Sequence, residues 1–290
     1  MQVPASFQYR KATSVAHALA LLQEYGPESV VIAGGHSLLP MMKLRLAHPE
    51  ALIDINELDE IAGIHVEDGE LVIGAMARHA ELLACAEAGE HFPILHEAER
   101  VIADPIVRNR GTIGGSLCQA DPSEDLSAVF AALRANLVVR GPDGDRTVAA
   151  RDFFVGPYQT VLAPGELLGE IRVPITAGGT PAASAYEKVD RRAGDWAVGA
   201  VGAVVEVVGG VLAQVGIGLT ALGAERFVAA EAEDFLRGEP PDEERLVEAG
   251  AIAARHCRPA ADQRGPVDYK RHLAGELVTR ALRRAVGRVG

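Results

Sequence analysis

Val30-Val31-Ile32-Ala33-Gly34-Gly35-His36-Ser37-Leu38-Leu39-Pro40 is the stretch on which the reading of the N-terminal part turns. Its four leading residues are apolar and three are β-branched, the pattern of a short buried strand. The Gly-Gly pair then turns the chain through angles that a Cβ disfavours. Ser37 is placed to cap a helix, and Pro40 falls in that helix's tolerated first turn. A lone Gly-Gly pair is most simply an ordinary tight turn. Strand, glycine turn and helix N-terminus in succession do more: they offer unsatisfied N–H groups and a positive partial charge to an anion.

Around this block lies a small βαβ-like unit. Val15, Ala18, Leu19 and Leu22 share one helical face over 14–25, with Ser14 as its cap and Gly26-Pro27 as its stop. Leu52-Ile53-Asp54-Ile55 reads as the next strand. The glycines do not follow G-x-G-x-x-G, so the dinucleotide fold defined by that fingerprint is not indicated.

A second glycine block, Asn109-Arg110-Gly111-Thr112-Ile113-Gly114-Gly115-Ser116, lies far downstream in a strand-like stretch, 112–117. Two such turns suit a ligand with two phosphates and a long body, and a dinucleotide answers that description. Asp125, nine residues past Ser116, supplies a carboxylate of the kind that accepts hydrogen bonds from a ribose diol. The plainer reading of Asp125 is a solvated acid in a helix's first turn.

Further strands are expected at 71–74, 137–140 and 167–173, and helices at 79–88 and 123–135, the latter capped by Asp121 with Pro122 in first position. Thr176-Ala177-Gly178-Gly179-Thr180-Pro181 reads as a linker. Beyond it come a β-rich stretch, 184–222, with a hairpin turn at Gly209-Gly210, and helices at 228–237, 242–256 and 268–287. Trp196 and the Val/Ala stripe around it read as core. The acidic segment Glu231 to Glu248 reads as a solvated face. The basic end (Lys270, Arg271, Arg280 to Arg288) is either solvated or in contact with a partner. His256-Cys257 lacks further ligands at metal spacing and reads as structural.

Composition narrows the function. A chain of 290 residues, 48% hydrophobic and 23% charged, predicts a globular protein of two domains. A net charge of -12 argues against a nucleic-acid or anionic-membrane surface. Three scattered cysteines, Cys85, Cys118 and Cys257, point to a reducing compartment and are too few for the four thiolates of an iron–sulfur cluster. No apolar run approaches the roughly 20 residues of a membrane span, and the N-terminus does not read as a signal peptide.

Ala33 to Arg45, Arg108 to Ser116 and Asp121 to Leu126 together closely resemble the FAD-binding medium subunits of molybdenum hydroxylases, the xanthine dehydrogenase family. Within that family the first block is most similar to the carbon monoxide dehydrogenase branch. The resemblance extends over essentially the whole chain, including Ala185 to Ala197. It implies an α+β flavoprotein: a two-lobed FAD domain of the PCMH/vanillyl-alcohol-oxidase type over 1–176, with lobes 1–57 and 58–176, then a C-terminal domain, 177–290, of a three-stranded antiparallel sheet and a helical bundle.

Site roles follow from the same resemblance. Val31, Ile32, Ala33, Gly34, Gly35, His36, Ser37 and Leu38 are expected at the pyrophosphate, chiefly through backbone N–H groups. Thr112, Ile113, Gly114, Gly115 and Ser116 are expected along the flavin side; many relatives carry Asn where this chain has Ser116. Asp125 is expected at a ribose, and Ile102 and Leu168 against the flavin or adenine. Tyr186 and Lys188 fall where the C-terminal domain reaches the flavin. No catalytic acid or base and no metal ligand is expected on this chain. The resemblance further implies a small [2Fe–2S] subunit and a large molybdopterin subunit as partners, in a dimer of heterotrimers, cytoplasmic and peripherally associated with the inner face of the membrane. Other readings stay open at this stage: the medium subunit of another molybdenum hydroxylase acting on a xanthine, aldehyde or aromatic substrate, a self-contained FAD oxidoreductase of the same fold, and a non-enzymatic nucleotide-binding module.

Overall fold

The structure, a computed structural model, describes residues 3–175 and 182–289. The expected linker at 176–181 lies outside the described residues. The chain opens with β1 (Gln8–Lys11), α1 (Val15–Tyr25), β2 (Ser29–Ile32), α2 (Leu38–Lys43) and β3 (Ala51–Asp54). The three strands form a parallel sheet ordered β1-β3-β2. Central β3 buries Ala51, Leu52 and Ile53, and α1 packs on the sheet through Ala18, Leu21 and Leu22. Ser14 caps α1 by accepting from the His17 amide at 3.0 Å. β1 was not anticipated. Its residues, Gln8-Tyr9-Arg10-Lys11, are all exposed and carry no apolar alternation.

The second lobe holds β4 (Ile64–Glu67), β5 (Glu70–Gly74), α3 (His79–Ala84), α4 (Ala86–His91), α5 (Pro93–Val101), α6 (Pro105–Arg108), α7 (Ile113–Gln119), α8 (Asp125–Ala132), β6 (Asn136–Arg140), β7 (Arg146–Ala149), α9 (Ala150–Phe153), β8 (Phe154–Gly156), β9 (Gln159–Thr160) and β10 (Leu167–Pro174). Five of its strands form an antiparallel sheet, β4-β5-β10-β6-β7.

Three expectations are corrected here. The stretch 112–117 is not a strand. Thr112 caps α7, and Ile113 and Leu117, four residues apart, lie on one helical face and are fully buried. The helix expected at 79–88 breaks at Cys85 into α3 and α4. The helix expected over 123–135 starts at Asp125 with Glu124 as its cap, while Asp121 instead accepts from the Ser123 amide in a local turn.

The C-terminal part has β11 (Ala183–Val189), β12 (Gly199–Val208) and β13 (Val211–Thr220) in an antiparallel sheet of that order, followed by α10 (Ala230–Leu236), α11 (Glu243–His256) and α12 (Val267–Val286). Gly209 and Gly210 make the hairpin turn with φ of 60° and 82°. One face of the sheet packs on α12. The other receives α8 at unusually short range: a Cβ on Gly216 or Gly218 would stand 2.0 Å from the carbonyl oxygen of Ala132 or Ala128. Helix α8 is buried on every side, with β12 and β13 on one face and α5, α7 and α9 around the rest.

Three C-terminal readings also change. Trp196 is 43% exposed, in the connection between β11 and β12, and is not core. Glu233, inside the supposed solvated face, is buried and held by Arg151 at 2.7 Å through both carboxylate oxygens. The basic end folds back: Lys270 is buried against Asp262 at 2.8 Å, and Arg284 and Arg288 both reach Glu97 on α5. His256 pairs with Glu231 at 3.1 Å, and Cys257 is buried in the bundle core. Among the described residues no helix is long and apolar enough to cross a membrane.

Candidate cofactor cleft

A cleft of about 290 Å³ separates the first two lobes. The first lobe contributes Val31, Ala33, Gly34, Gly35, His36, Ser37 and Leu38. The second contributes Thr112, Gly114, Gly115 and Ser116 from the other glycine block, with Ala75, Met76 and Leu168 as apolar walls. Both glycine blocks thus face one space. Ile32, Ile113, Ile102, Asp125, Tyr186 and Lys188 do not line it.

The two blocks do different work. Gly34, Gly35, His36 and Ser37 lie outside helix and strand, and among the described residues none of their backbone N–H groups donates to the chain. Four free amides in a loop leading into α2 are the donor set that a pyrophosphate needs. Gly35, at φ +78°, gives the loop its bend. Ser37 makes no side-chain cap, contrary to expectation. In the second block every amide from 113 to 116 is used internally. Ile113 donates to Ala77 O, Gly114 to Ala75 O, Gly115 to the Thr112 hydroxyl, and Ser116 to Thr112 O. This block is a packed turn and not an anion nest, so what it offers the cleft is the bare backbone of Gly115 and the Ser116 hydroxyl.

A polar brace that the sequence did not reveal joins the blocks. The Asn56 amide donates to Ala33 O at 2.7 Å, and its carbonyl accepts from Arg78 Nη2 at 3.0 Å. Arg78 Nη1 then donates to Arg110 O at 2.6 Å. These residues are distant in sequence and share no local motif.

Behind Ser116 lies a second unforeseen constellation. Glu99 on α5 and His79 on α3 are buried, with both Glu99 oxygens 3.0–3.1 Å from His79 Nδ1. His79 Nε2 is 3.0 Å from Ser116 Oγ. Burial by itself lowers the His79 pKa, but the facing Glu99 carboxylate, with Glu124 and Asp125 beyond, outweighs it, and the net direction is upward.

Asp125 is not the solvated acid of the plainer reading. It is buried at the start of α8, accepting from Tyr186 Oη at 2.5 Å and from Lys188 Nζ at 2.9 Å. Lys188 also donates to Val101 O, beside Ile102. Glu124 caps α8 by accepting from the Leu126 and Ser127 amides at 2.7 and 2.6 Å, and burial pushes its carboxyl up to about 7.

A cradle of free amides facing a capped glycine turn across an apolar-walled cleft is an arrangement suited to a dinucleotide. The comparisons agree. Residues 5–176 match the family described as FAD binding domain in molybdopterin dehydrogenase, and 184–285 match the CO dehydrogenase flavoprotein C-terminal domain. The chain belongs to the FAD-binding medium subunits of the molybdenum hydroxylase family and is an oxidoreductase subunit whose cofactor is FAD. It is 43% identical to the carbon monoxide dehydrogenase medium chain of Hydrogenophaga pseudoflava, over 99% of each chain. It is 41% identical to the medium chain of Afipia carboxidovorans, again over 99% of each. The solved Hydrogenophaga carbon monoxide dehydrogenase that lacks the Mo-pyranopterin moiety superposes with a TM-score of 0.95 at 44% identity, over 99% of this chain and all of that one.

Proposed function

We propose that this chain carries electrons from a [2Fe–2S] cluster on a small partner subunit, through its FAD, to an external acceptor, in a carbon monoxide dehydrogenase whose large subunit holds the molybdenum cofactor. The observation that carries the reading is the cradle of four free amides in a chain similar end to end to carbon monoxide dehydrogenase medium chains. Three cysteines are too few for the four thiolates of a cluster, so in this reading the electrons arrive from a cluster on another chain. FAD supplies the redox chemistry when bound; the protein binds and orients it and handles charge around it.

In this reading the Gly34–Ser37 amides hold the pyrophosphate, and Thr112 to Ser116 run along the flavin side. Leu168 packs on the ring system. For Ile102, Asp125, Tyr186 and Lys188 the assignment to the cofactor rests on the family resemblance. The chain divides into an FAD domain, 1–176, with lobes meeting near 57, and a C-terminal domain, 177–290. The complex is a dimer of heterotrimers in the cytoplasm, held peripherally at the inner face of the membrane.

The test is anaerobic reduction. The complex, co-expressed with its flanking-gene subunits, is mixed with carbon monoxide and the flavin absorbance is followed; bleaching is expected in the complex and not in the isolated chain. Bleaching by an aldehyde or a purine but not by carbon monoxide would move the chain to another branch of the family. Rapid turnover of a small substrate by the isolated chain would defeat the subunit reading.

A further inference from the structure

We infer that Glu99, His79 and Ser116 form a proton relay that opens on the FAD cleft and exchanges one proton with the cofactor each time electrons enter or leave it. This rests on the reading that the flavin side lies along Thr112 to Ser116. Three helices converge to build the relay: Glu99 from α5, His79 from α3 and Ser116 from the first turn of α7. Ser116 and His79 both line the cleft, but His79 is only 3% exposed, and Glu99 is fully buried behind it. A buried carboxylate and imidazole are costly unless each answers the other. Here both Glu99 oxygens converge on one ring nitrogen.

Burial raises the Glu99 carboxyl, and the facing His79 opposes that shift. In the relay Glu99 is the ionised partner: it accepts, and His79 Nδ1 keeps its hydrogen. The variable proton is on Nε2, which faces Ser116 Oγ. When Nε2 is protonated it donates to Ser116, and the serine O–H is free to point into the cleft as a donor. When Nε2 is bare, Ser116 donates to it and shows the cleft only lone pairs. One ring proton thus reverses the polarity that Ser116 presents to the ligand. The titratable and charged groups facing the pair are Arg108 from α6, toward Glu99, and Glu124 and Asp125 from the start of α8, both toward His79 and Asp125 also toward Glu99.

The step balances. As two electrons reach FAD from the iron–sulfur partner, the Ser116 O–H bond breaks and its proton passes to a basic ring nitrogen of the cofactor. The His79 Nε2–H bond breaks in turn and re-forms the serine hydroxyl. The imidazole is left neutral, with Nδ1–H still donated to Glu99. When the acceptor removes the electrons, the same proton returns along the same path. The triad geometry is that of hydrolytic enzymes, where it strips a serine for attack on a carbonyl. Here the hydroxyl opens onto a cofactor cleft, so the proton itself is the cargo.

The test uses the FAD-loaded chain. Its reduction potential is measured by spectroelectrochemistry across about pH 5 to 9, the range in which histidine titrates, for the native protein, Ser116→Ala and His79→Asn. The native plot of potential against pH is expected to change slope where His79 titrates. In His79→Asn that break is expected to be lost. Ser116→Ala leaves the Glu99–His79 pair intact, so its break remains, but the path from the pair to the cleft is cut: stopped-flow reduction of the flavin by dithionite is expected to slow and to lose its solvent deuterium isotope effect. This arm answers the question if His79→Asn folds poorly. A merely structural role would lower FAD affinity and leave the rate and isotope effect of the bound flavin as in the native chain. A native rate and isotope effect in Ser116→Ala overturn the relay alone. A native chain that retains no FAD, judged by chromatography of the released chromophore, overturns the functional reading and the relay with it.

Discussion

Gly34 faces the carbonyl oxygen of Arg110 across the junction of the two glycine blocks: a Cβ on Gly34 would stand 2.2 Å from that oxygen and 2.8 Å from Gly111 Cα. Both neighbours are backbone, so no rotamer change relieves the clash. The first prediction follows. Gly34→Ala forces the loops apart and breaks the register that Asn56 and Arg78 maintain between them. FAD affinity should fall at least tenfold, about 1.4 kcal/mol, in fluorescence titrations of the apo-protein. Affinity within twofold of native would mean that the closed junction is not needed for binding.

Gly35 is a different case. Its φ of +78° is a region that β-branched residues essentially avoid, and a Cβ would come within 3.0 Å of Leu39 Cδ1. Gly35→Val should strain the cradle and abolish FAD retention on gel filtration. Residue 36 is exposed and its amide survives truncation, so His36→Ala should cost much less. If His36→Ala proves the more damaging change, the imidazole contacts the cofactor and the amide cradle is not what holds it.

The contrast between these residues and the Glu99–His79 pair shows what is legible in a sequence. The first cradle is local: strand, glycines and helix follow one another within a dozen residues, so their order announces the site. The second block reads as a strand because β-branched Thr112 and Ile113 dominate its local pattern, whereas the four-residue spacing of Ile113 and Leu117 is that of the helix it forms. The Asn56–Arg78 brace depends on how two separate sheets meet, which no local pattern encodes. Glu99 did leave a trace. It lies four residues after Leu95 and one after Ala98, both fully buried, so the apolar face of α5 carries a carboxylate inward. A charged residue on a buried face asks for a partner, but nothing in the sequence says that the partner is His79. Trp196 shows the opposite case: an aromatic residue beside a buried strand reads as core, yet the chain leaves it in an exposed connection.

Glu124 yields a pH prediction. Its carboxyl is held near 7 by burial, well above an ordinary glutamate, so the folded state keeps a proton that the unfolded chain releases. Below the unfolded value both states are protonated and the group is neutral to stability. As pH rises from about 4.5 to 7 the unfolded state loses its proton first, and stability falls; above 7 the penalty is complete, of the order of 3 kcal/mol. Glu124→Gln keeps a carbonyl to accept from the Leu126 or Ser127 amide and cannot ionise. Urea midpoints measured from about pH 4.5 to 8 should therefore decline more steeply for the native protein than for Glu124→Gln. Parallel curves would show that Glu124 is ionised throughout.

Asp125 ties α8 to the C-terminal sheet, since Tyr186 and Lys188, its two donors, both stand on β11. The sequence led us to expect a ribose ligand there. In the structure both carboxylate oxygens are engaged, and among the described residues the Lys188 ammonium, itself buried, has only Val101 O besides. Removing the carboxylate leaves that cation without its counter-charge. Such a break costs about 3–5 kcal/mol, because the unpaired charge stays desolvated. Asp125→Ala should therefore destabilise the apo-protein by several kcal/mol in chemical denaturation, whatever it does to FAD binding. Lys188→Met removes the stranded charge and keeps the aliphatic bulk. The double variant Asp125→Ala/Lys188→Met should consequently be more stable than the sum of the single losses predicts, with a coupling of at least about 1 kcal/mol. Strictly additive losses would show that the two residues do not stabilise one another and that the ion pair contributes nothing to holding the sheet on α8.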